Sequence, residues 1–138
     1  MIRVATVALA LLATPAFAED VLYFDAKQVA ASFAKATTLV KCDTYRIVTG
    51  RRVQPGEAEI HTLDTDLIYV VQGSATLVTG GTVVDPRNTG PNEIRAKSSR
   101  GGTAHRLAKG DVIIVPKGTP HWFEKISGTF DYLTIKVP

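Results

Sequence analysis

The chain has 138 residues, enough for one domain with its own core, and carries 16 basic and 13 acidic side chains for a formal net charge of +3. So mild a basic excess, with no arginine-rich run interleaved with aromatics, argues against nucleic acid as a partner. The single cysteine, Cys42, rules out a disulfide within the chain and any zinc site built on cysteines; it reads as a small buried residue, with an interchain bridge or a reactive thiol as the alternatives.

Residues 1–18 have the form of a secretory signal peptide, with cleavage expected after Ala18. Met1-Ile2-Arg3 is a short basic start, an apolar run follows, and Ala16-Phe17-Ala18 puts small residues where a signal peptidase reads them. The run falls short of the ~20 residues that span a bilayer. Pro15 would break a spanning helix. The mature chain is therefore expected in the periplasm or outside the cell, with no membrane anchor after cleavage. Asp25 can cap a helix and Gln28 completes a capping box, with Val29, Phe33 and Ala36 near helical spacing, so one short helix is expected over 26–36. Residues 19–42 then form an N-terminal segment packed on a main domain at 43–138.

From Asp43 onward the pattern is that of strands. Residues 45–49 are rich in β-branched and aromatic types, and Gly50 and Pro55-Gly56 punctuate them. Further strands are expected at 57–63, 66–72, 74–79 after a turn at Gly73, and 82–84 after Gly80-Gly81. Residues 85–92, with two prolines and a glycine, read as a loop. Strands at 93–97 and 103–108 flank a Ser-Ser-Arg-Gly-Gly turn, the apolar run 112–115 crosses the core, and 121–125 and 130–137 complete the chain. Short strands with frequent glycine turns mean a sandwich or a barrel.

The stretch from Gly110 to Lys125 carries the most information. Gly110 and Asp111 open a strand after a turn, Pro116-Lys117-Gly118 reverses the chain, and Thr119-Pro120 leads into His121 at the start of the next strand. Gly110, Pro116, Gly118 and His121 resemble the second motif of the cupins in identity and in spacing, although Lys125 stands where that motif often ends in asparagine. Upstream, Gly73, Asp66, His61 and Glu59 align with the first cupin motif. Asp66 then takes the place of its glutamate, and Glu59 the place of its first histidine.

The resemblance implies an all-β fold, a jelly-roll-like cupin β-barrel with one short N-terminal helix. It further implies a metal inside the barrel, held by His61, His121, Glu59 and Asp66. Glu59 and His61 lie two apart on a strand and so share a face. Two imidazoles and two carboxylates suit a divalent transition metal, Mn, Fe, Zn, Ni or Cu, with a slight lean to the harder Mn and Fe(II). Asp66, a methylene shorter than glutamate, is either the fourth ligand or a group that orients His61 or a water. If Glu59 is not a ligand it is a candidate general base. A barrel that has lost its metal stays open, because a histidine on a strand is by default a packed residue.

His105 matches no ligand position. Tyr45, Tyr69, Trp122, Phe123 and Tyr132 are core or sheet-face candidates. With His121 inward, alternation places Phe123 inward and Trp122 outward, where it can cover the other sheet or a partner subunit; Asp66 inward places Ile68 and Val70 inward. Arg46 or Arg106 could meet a substrate carboxylate. The chain has no G-x-S-x-G and no phosphate loop. Three functions follow: a metal-dependent cupin enzyme acting on a small organic molecule (dioxygenase, decarboxylase, isomerase or lyase chemistry), a non-catalytic small-ligand or metal-binding module, or a degenerate cupin acting through dimerisation. A homodimer is expected.

Overall fold

The computed structural model describes residues 20–138; the expected signal peptide and its cleavage point lie outside the described residues. Helix α1 (Ala26–Phe33) opens with a complete capping box. The Asp25 carboxylate accepts from the Gln28 N–H at 2.8 Å, and the Gln28 side chain accepts from the Asp25 N–H at 2.9 Å. The helix stops at Phe33 rather than at residue 36, because Ala36 turns into the left-handed region at φ 47°. That turn delivers an unanticipated strand, β1 (Thr38–Lys41), to the edge of β2 (Arg46–Arg52). The fully buried Thr49 hydroxyl of β2 fixes the junction by donating towards the carbonyls of Ser32 and Thr37. Phe33 is buried beneath the helix.

The remaining strands are β3 (Ala58–His61), β4 (Thr65–Thr79), β5 (Thr82–Val84), β6 (Arg87–Gly90), β7 (Glu93–Ala96), β8 (Ser98–Arg100), β9 (Thr103–Ala108), β10 (Val112–Val115) and β11 (His121–Val137). All strand pairs are antiparallel. The frame is set by β4 and β11, of 15 and 17 residues, which pair along almost their whole length. Their outer halves lie between β10 and β2, and their inner halves between β9 and β3, all within one nine-stranded sheet.

Gly73 was expected to end a strand. It instead forms a corner within β4, at φ 78°, where a Cβ would overlap the Thr129 carbonyl oxygen. The pairing with β11 shifts register opposite that corner, between Ser127 and Asp131, where Gly128 also has positive φ. A local bulge bends a strand without ending it, so the two strands expected at 121–125 and 130–137 are one. Short pairings likewise occupy segments expected to be loop or turn: β6 adds to β7, and β8 pairs with β5 in a separate two-stranded sheet. Gly50, expected to punctuate, lies within β2.

The core gathers Ile68, Val70, Leu77, Leu107, Val115, Phe123 and Phe130, with Tyr132 packed against it. Ile68, Val70 and Phe123 face inward, in keeping with alternation from Asp66 and His121. The run 112–115 does not cross the core as expected. Only Val115 is fully buried; Val112 and Ile114 are 56% and 60% exposed, because side chains of a strand alternate between its faces and the outer face of β10 is open to solvent. Trp122 is half-buried against its own subunit, donating its indole N–H to the Gly56 carbonyl at 2.8 Å.

Candidate metal centre

The site is built by cross-strand pairing. On β11 the first residue, His121, lies directly opposite Glu59 of β3, and on the far side of β3 Glu59 lies opposite Arg95 of β7. His61, two residues after Glu59, projects from the same face. Elsewhere in the same sheet Asp66 of β4 lies opposite Lys136 of β11. The reversing turn of the second motif rests on the first, since the Gly118 N–H donates to the His61 carbonyl at 2.8 Å.

These pairings converge Glu59, His61 and His121, whose ligand atoms all lie within 4.8 Å of one another. Glu59 Oε2 stands 3.7 Å from His61 Nε2 and 3.9 Å from His121 Nε2, and the imidazole centroids are 5.1 Å apart. Donors about 2.1 Å from a shared ion stand roughly 3.0–3.4 Å from each other in octahedral or tetrahedral arrangements. The observed separations are slightly wider than that, and too long for good direct hydrogen bonds. Two imidazole nitrogens and a carboxylate oxygen, gathered within 4.8 Å without bonding one another, suit a divalent transition metal.

His121 is preset for this role. Its Nδ1 lies 3.1 Å from the Thr119 carbonyl, which can only accept, so Nδ1 carries the proton and Nε2 offers its lone pair to the cluster. Burial pushes the His121 pKa below its ordinary value; the backbone hydrogen bond to Thr119 works against that shift without reversing it. Neutral imidazole is the form a metal requires.

Asp66 is placed differently. Both its oxygens accept from Lys136 Nζ, at 2.7 and 2.8 Å, and Oδ2 approaches His61 Nε2 at 3.4 Å and His121 Nε2 at 4.0 Å. Oδ2 thus faces the same Nε2 atoms that Glu59 faces, while Lys136 holds the carboxylate from the other side. Glu59 turns its other oxygen, Oε1, towards Arg95 Nη1 at 3.2 Å and Arg52 Nη2 at 3.6 Å.

The cluster lines a cavity of about 260 Å³ together with Arg52, Ile68, Phe123, Tyr132, Lys136 and neighbouring residues. Arg52, Arg95, Tyr132 and Lys136 were not singled out as site residues from the sequence. They arrive from β2, β7 and the outer half of β11, by pairings that join residues far apart in the chain. Gly50 makes room for Tyr132, whose ring a Cβ at that position would overlap. The Tyr132 hydroxyl accepts from Arg52 Nε at 3.1 Å, and burial raises its pKa, so it remains a phenol. The two arginines considered for a substrate carboxylate lie elsewhere. Arg46 pairs with the buried Asp64, which also accepts from Asn92, and Arg106 is exposed on β9. His105 bonds Thr79 Oγ1 at 2.8 Å, away from the cluster. Cys42 is only half-buried, with its thiol donating to the Tyr45 carbonyl.

Comparison with solved structures returns the same barrel. A protein from Neisseria meningitidis, NMB1881, is 11% identical, with a TM-score of 0.59 over 85% of this chain and all of that one. A Klebsiella pneumoniae protein with a double-stranded β-helix domain is 15% identical, at TM-score 0.53 over 75% of each chain. KdgF from Halomonas is 17% identical, at TM-score 0.54 over 74% of this chain and 77% of that one. At such identities the likeness is one of fold. No curated protein matched the sequence. The profile of the cupin family matches residues 48–135, the segment that carries both motifs and every residue of the cluster, and the chain belongs to that family.

Proposed function

We propose that this chain is a metal-dependent cupin enzyme acting on a small organic molecule in the periplasm or outside the cell. The observation that carries the reading is the convergence of Glu59, His61 and His121 inside a cavity large enough for a small substrate. A bound divalent metal would supply Lewis-acid polarisation of a substrate or water oxygen, or activation of dioxygen. The chain's own residues do the rest. His61 and His121 present their Nε2 atoms to the cluster. Glu59 balances charge on one side and is held by Arg95 and Arg52 on the other. Lys136 fixes Asp66 beside His61, and Ile68 and Phe123 form the dry wall. Dioxygenase, decarboxylase, isomerase and lyase chemistries are all compatible with that arrangement.

The test is metal content. Protein purified without an affinity tag is expected to hold, or take up on reconstitution, one transition-metal ion per chain, and His61→Ala and His121→Ala to lose it. A wild type that takes up no metal sinks the reading. It would favour a degenerate cupin, which has an observation of its own: every buried side-chain nitrogen and oxygen among the described residues already has a protein partner. A metal held without turnover of any small acid or sugar would favour a binding module.

Export is part of the proposal, and mass spectrometry of the chain from its native host should find a mature N-terminus at Glu19. A homodimer is proposed as well. Tyr69, Val112 and Ile114 lie together on the outer face of β4 and β10, each at least 41% exposed, and are better candidates for a subunit contact than Trp122. Sedimentation equilibrium of wild type and of Ile114→Asp would decide that point.

A further inference from the structure

Lys125, which stands where the second cupin motif often ends in asparagine, lines a groove of about 470 Å³ formed by β4, β9 and β11. No residue of the metal cluster lines it. Strand register decides the place of Lys125 there. Phe123 of β11 pairs with Leu77 of β4, so regular pairing would set Glu124 opposite Thr76. The register slips at that point and sets Lys125 there instead, exchanging an acid for a base. On the other side of β4, Thr76 pairs with Arg106 of β9. Arg106, Thr76 and Lys125 thus form one row across three strands. The row points away from the core, because Ala75 and Leu77, on either side of Thr76, are both buried. Ser74 and Ser127, paired with each other, add two hydroxyl groups to the lining.

The row carries two cations without partners. Arg46, Arg51, Arg52, Arg87 and Arg95 each stand within ion-pair distance of a carboxylate. Among the described residues the side chains of Arg106 and Lys125 have neither an ion pair nor a hydrogen bond, and no acidic residue lines the groove. Asp111, close by in the chain, turns Oδ2 to the Ala108 N–H at 2.8 Å. Two strands separate Arg106 from Lys125, roughly 10 Å between Cα atoms, a span that two long side chains close around one anion. Between them sits the Thr76 hydroxyl. A guanidinium fork, an ammonium and a hydroxyl together present donors in several directions, which a tetrahedral oxyanion with three or four acceptor oxygens satisfies.

We propose that this groove is a second ligand site, one that binds a phosphate or sulfate group, free or as the ester of a small molecule, between Arg106 and Lys125. The site is independent of the metal reading, since it shares no residue with the cluster and its charge does not depend on a bound ion.

The experiment is an amide-resolved NMR titration of the full-length mature protein, metal-free and at constant ionic strength so that general screening does not change. The probes are inorganic phosphate, inorganic sulfate and phenyl phosphate, with phenol as the neutral control. Saturable shifts are expected at Thr76, Arg106 and Lys125 with the anions and not with phenol. Tighter saturation by phenyl phosphate than by inorganic phosphate would identify the ester as the ligand, and equal saturation the free anion. Arg106→Gln should weaken binding by about tenfold, the scale of a charge-assisted hydrogen bond. Lys125→Asn should weaken it less, because an ammonium makes a point contact where a guanidinium makes a fork. Arg100→Gln, an exposed arginine of β8 that does not line the groove, should leave binding unchanged. Shifts that fail to saturate or that centre elsewhere, unchanged affinity in Arg106→Gln and Lys125→Asn, or equal weakening by Arg100→Gln overturns the proposal.

Discussion

Two hollows of the barrel are unlike in character. The larger, about 470 Å³, is an open groove where β4, β9 and β11 run side by side, lined by Ser74, Ala75, Thr76, Arg106, Leu107, Ala108, Lys125, Ile126 and Ser127. It contains neither a carboxylate nor an imidazole. The smaller, about 260 Å³, holds both cluster histidines, three carboxylates and three cations. Volume alone would point to the first; chemistry points to the second, because acid–base and metal work need titratable groups brought together in partial shelter from water. The groove is a consequence of strand geometry, since it lies where β11 slips register between Phe123 and Lys125.

That contrast can be broken or sharpened by substitution. The largest effect is expected at the cluster: Glu59→Ala should lower metal affinity by more than about 100-fold in a chelator competition, since losing a ligand costs more than losing a supporting group. Unchanged affinity would remove Glu59 from the ligand set and leave it the role of general base. Next comes Lys136→Met, which strands the Asp66 carboxylate 3% exposed and without its cation. Urea denaturation of the metal-free protein should show a loss of about 3 kcal/mol, the scale for breaking a sheltered pair. The loss should shrink when metal is bound, because the ion restores a positive neighbour.

Gly73→Ala tests the corner that bends β4 around the site. Positive φ together with overlap on the Thr129 carbonyl should cost roughly 2 kcal/mol or more in the same assay. The pH response is a smaller effect. Burial holds the His121 pKa below 6.5, so once pH falls below about that value the unfolded chain binds a proton that the folded chain resists. The His121 contribution is therefore complete above that pH and declines as pH falls from there towards the folded value, by at most about 1.4 kcal/mol per pH unit. Melting curves of metal-free wild type between pH 7.5 and 5 should show that slope, and His121→Asn should lose this part of it. Smallest of all is Lys125→Ala in the groove, expected within about 0.5 kcal/mol of wild type and without effect on metal uptake.

Much of the fold was legible because its signals are local. Asp25 and Gln28 cap a helix through atoms three residues apart, and Pro116-Lys117-Gly118 makes a turn from its own backbone preferences. The misreadings share one cause. Gly73 was read as a turn and proved a corner, because a glycine with positive φ serves either purpose and only the strand alongside decides which. Likewise the apolar run at β10 read as core, yet its side chains alternate between two faces, and the packing of the whole barrel leaves the face with Val112 and Ile114 open to solvent.

The site divides in the same way. Sequence alone determined the family likeness, the shared face of Glu59 and His61, and the turn that delivers His121, since each depends on spacing along a short stretch of chain. Only the tertiary structure decided that Lys136 claims Asp66, that Arg95 backs Glu59, and that Arg52, seated between Tyr132 and Phe123, faces the cavity in place of Arg46 or Arg106. Those contacts join residues 36 to 80 positions apart. They are fixed by strand register, which the whole barrel sets at once through the bends at Gly73 and Gly128, and which no local pattern encodes.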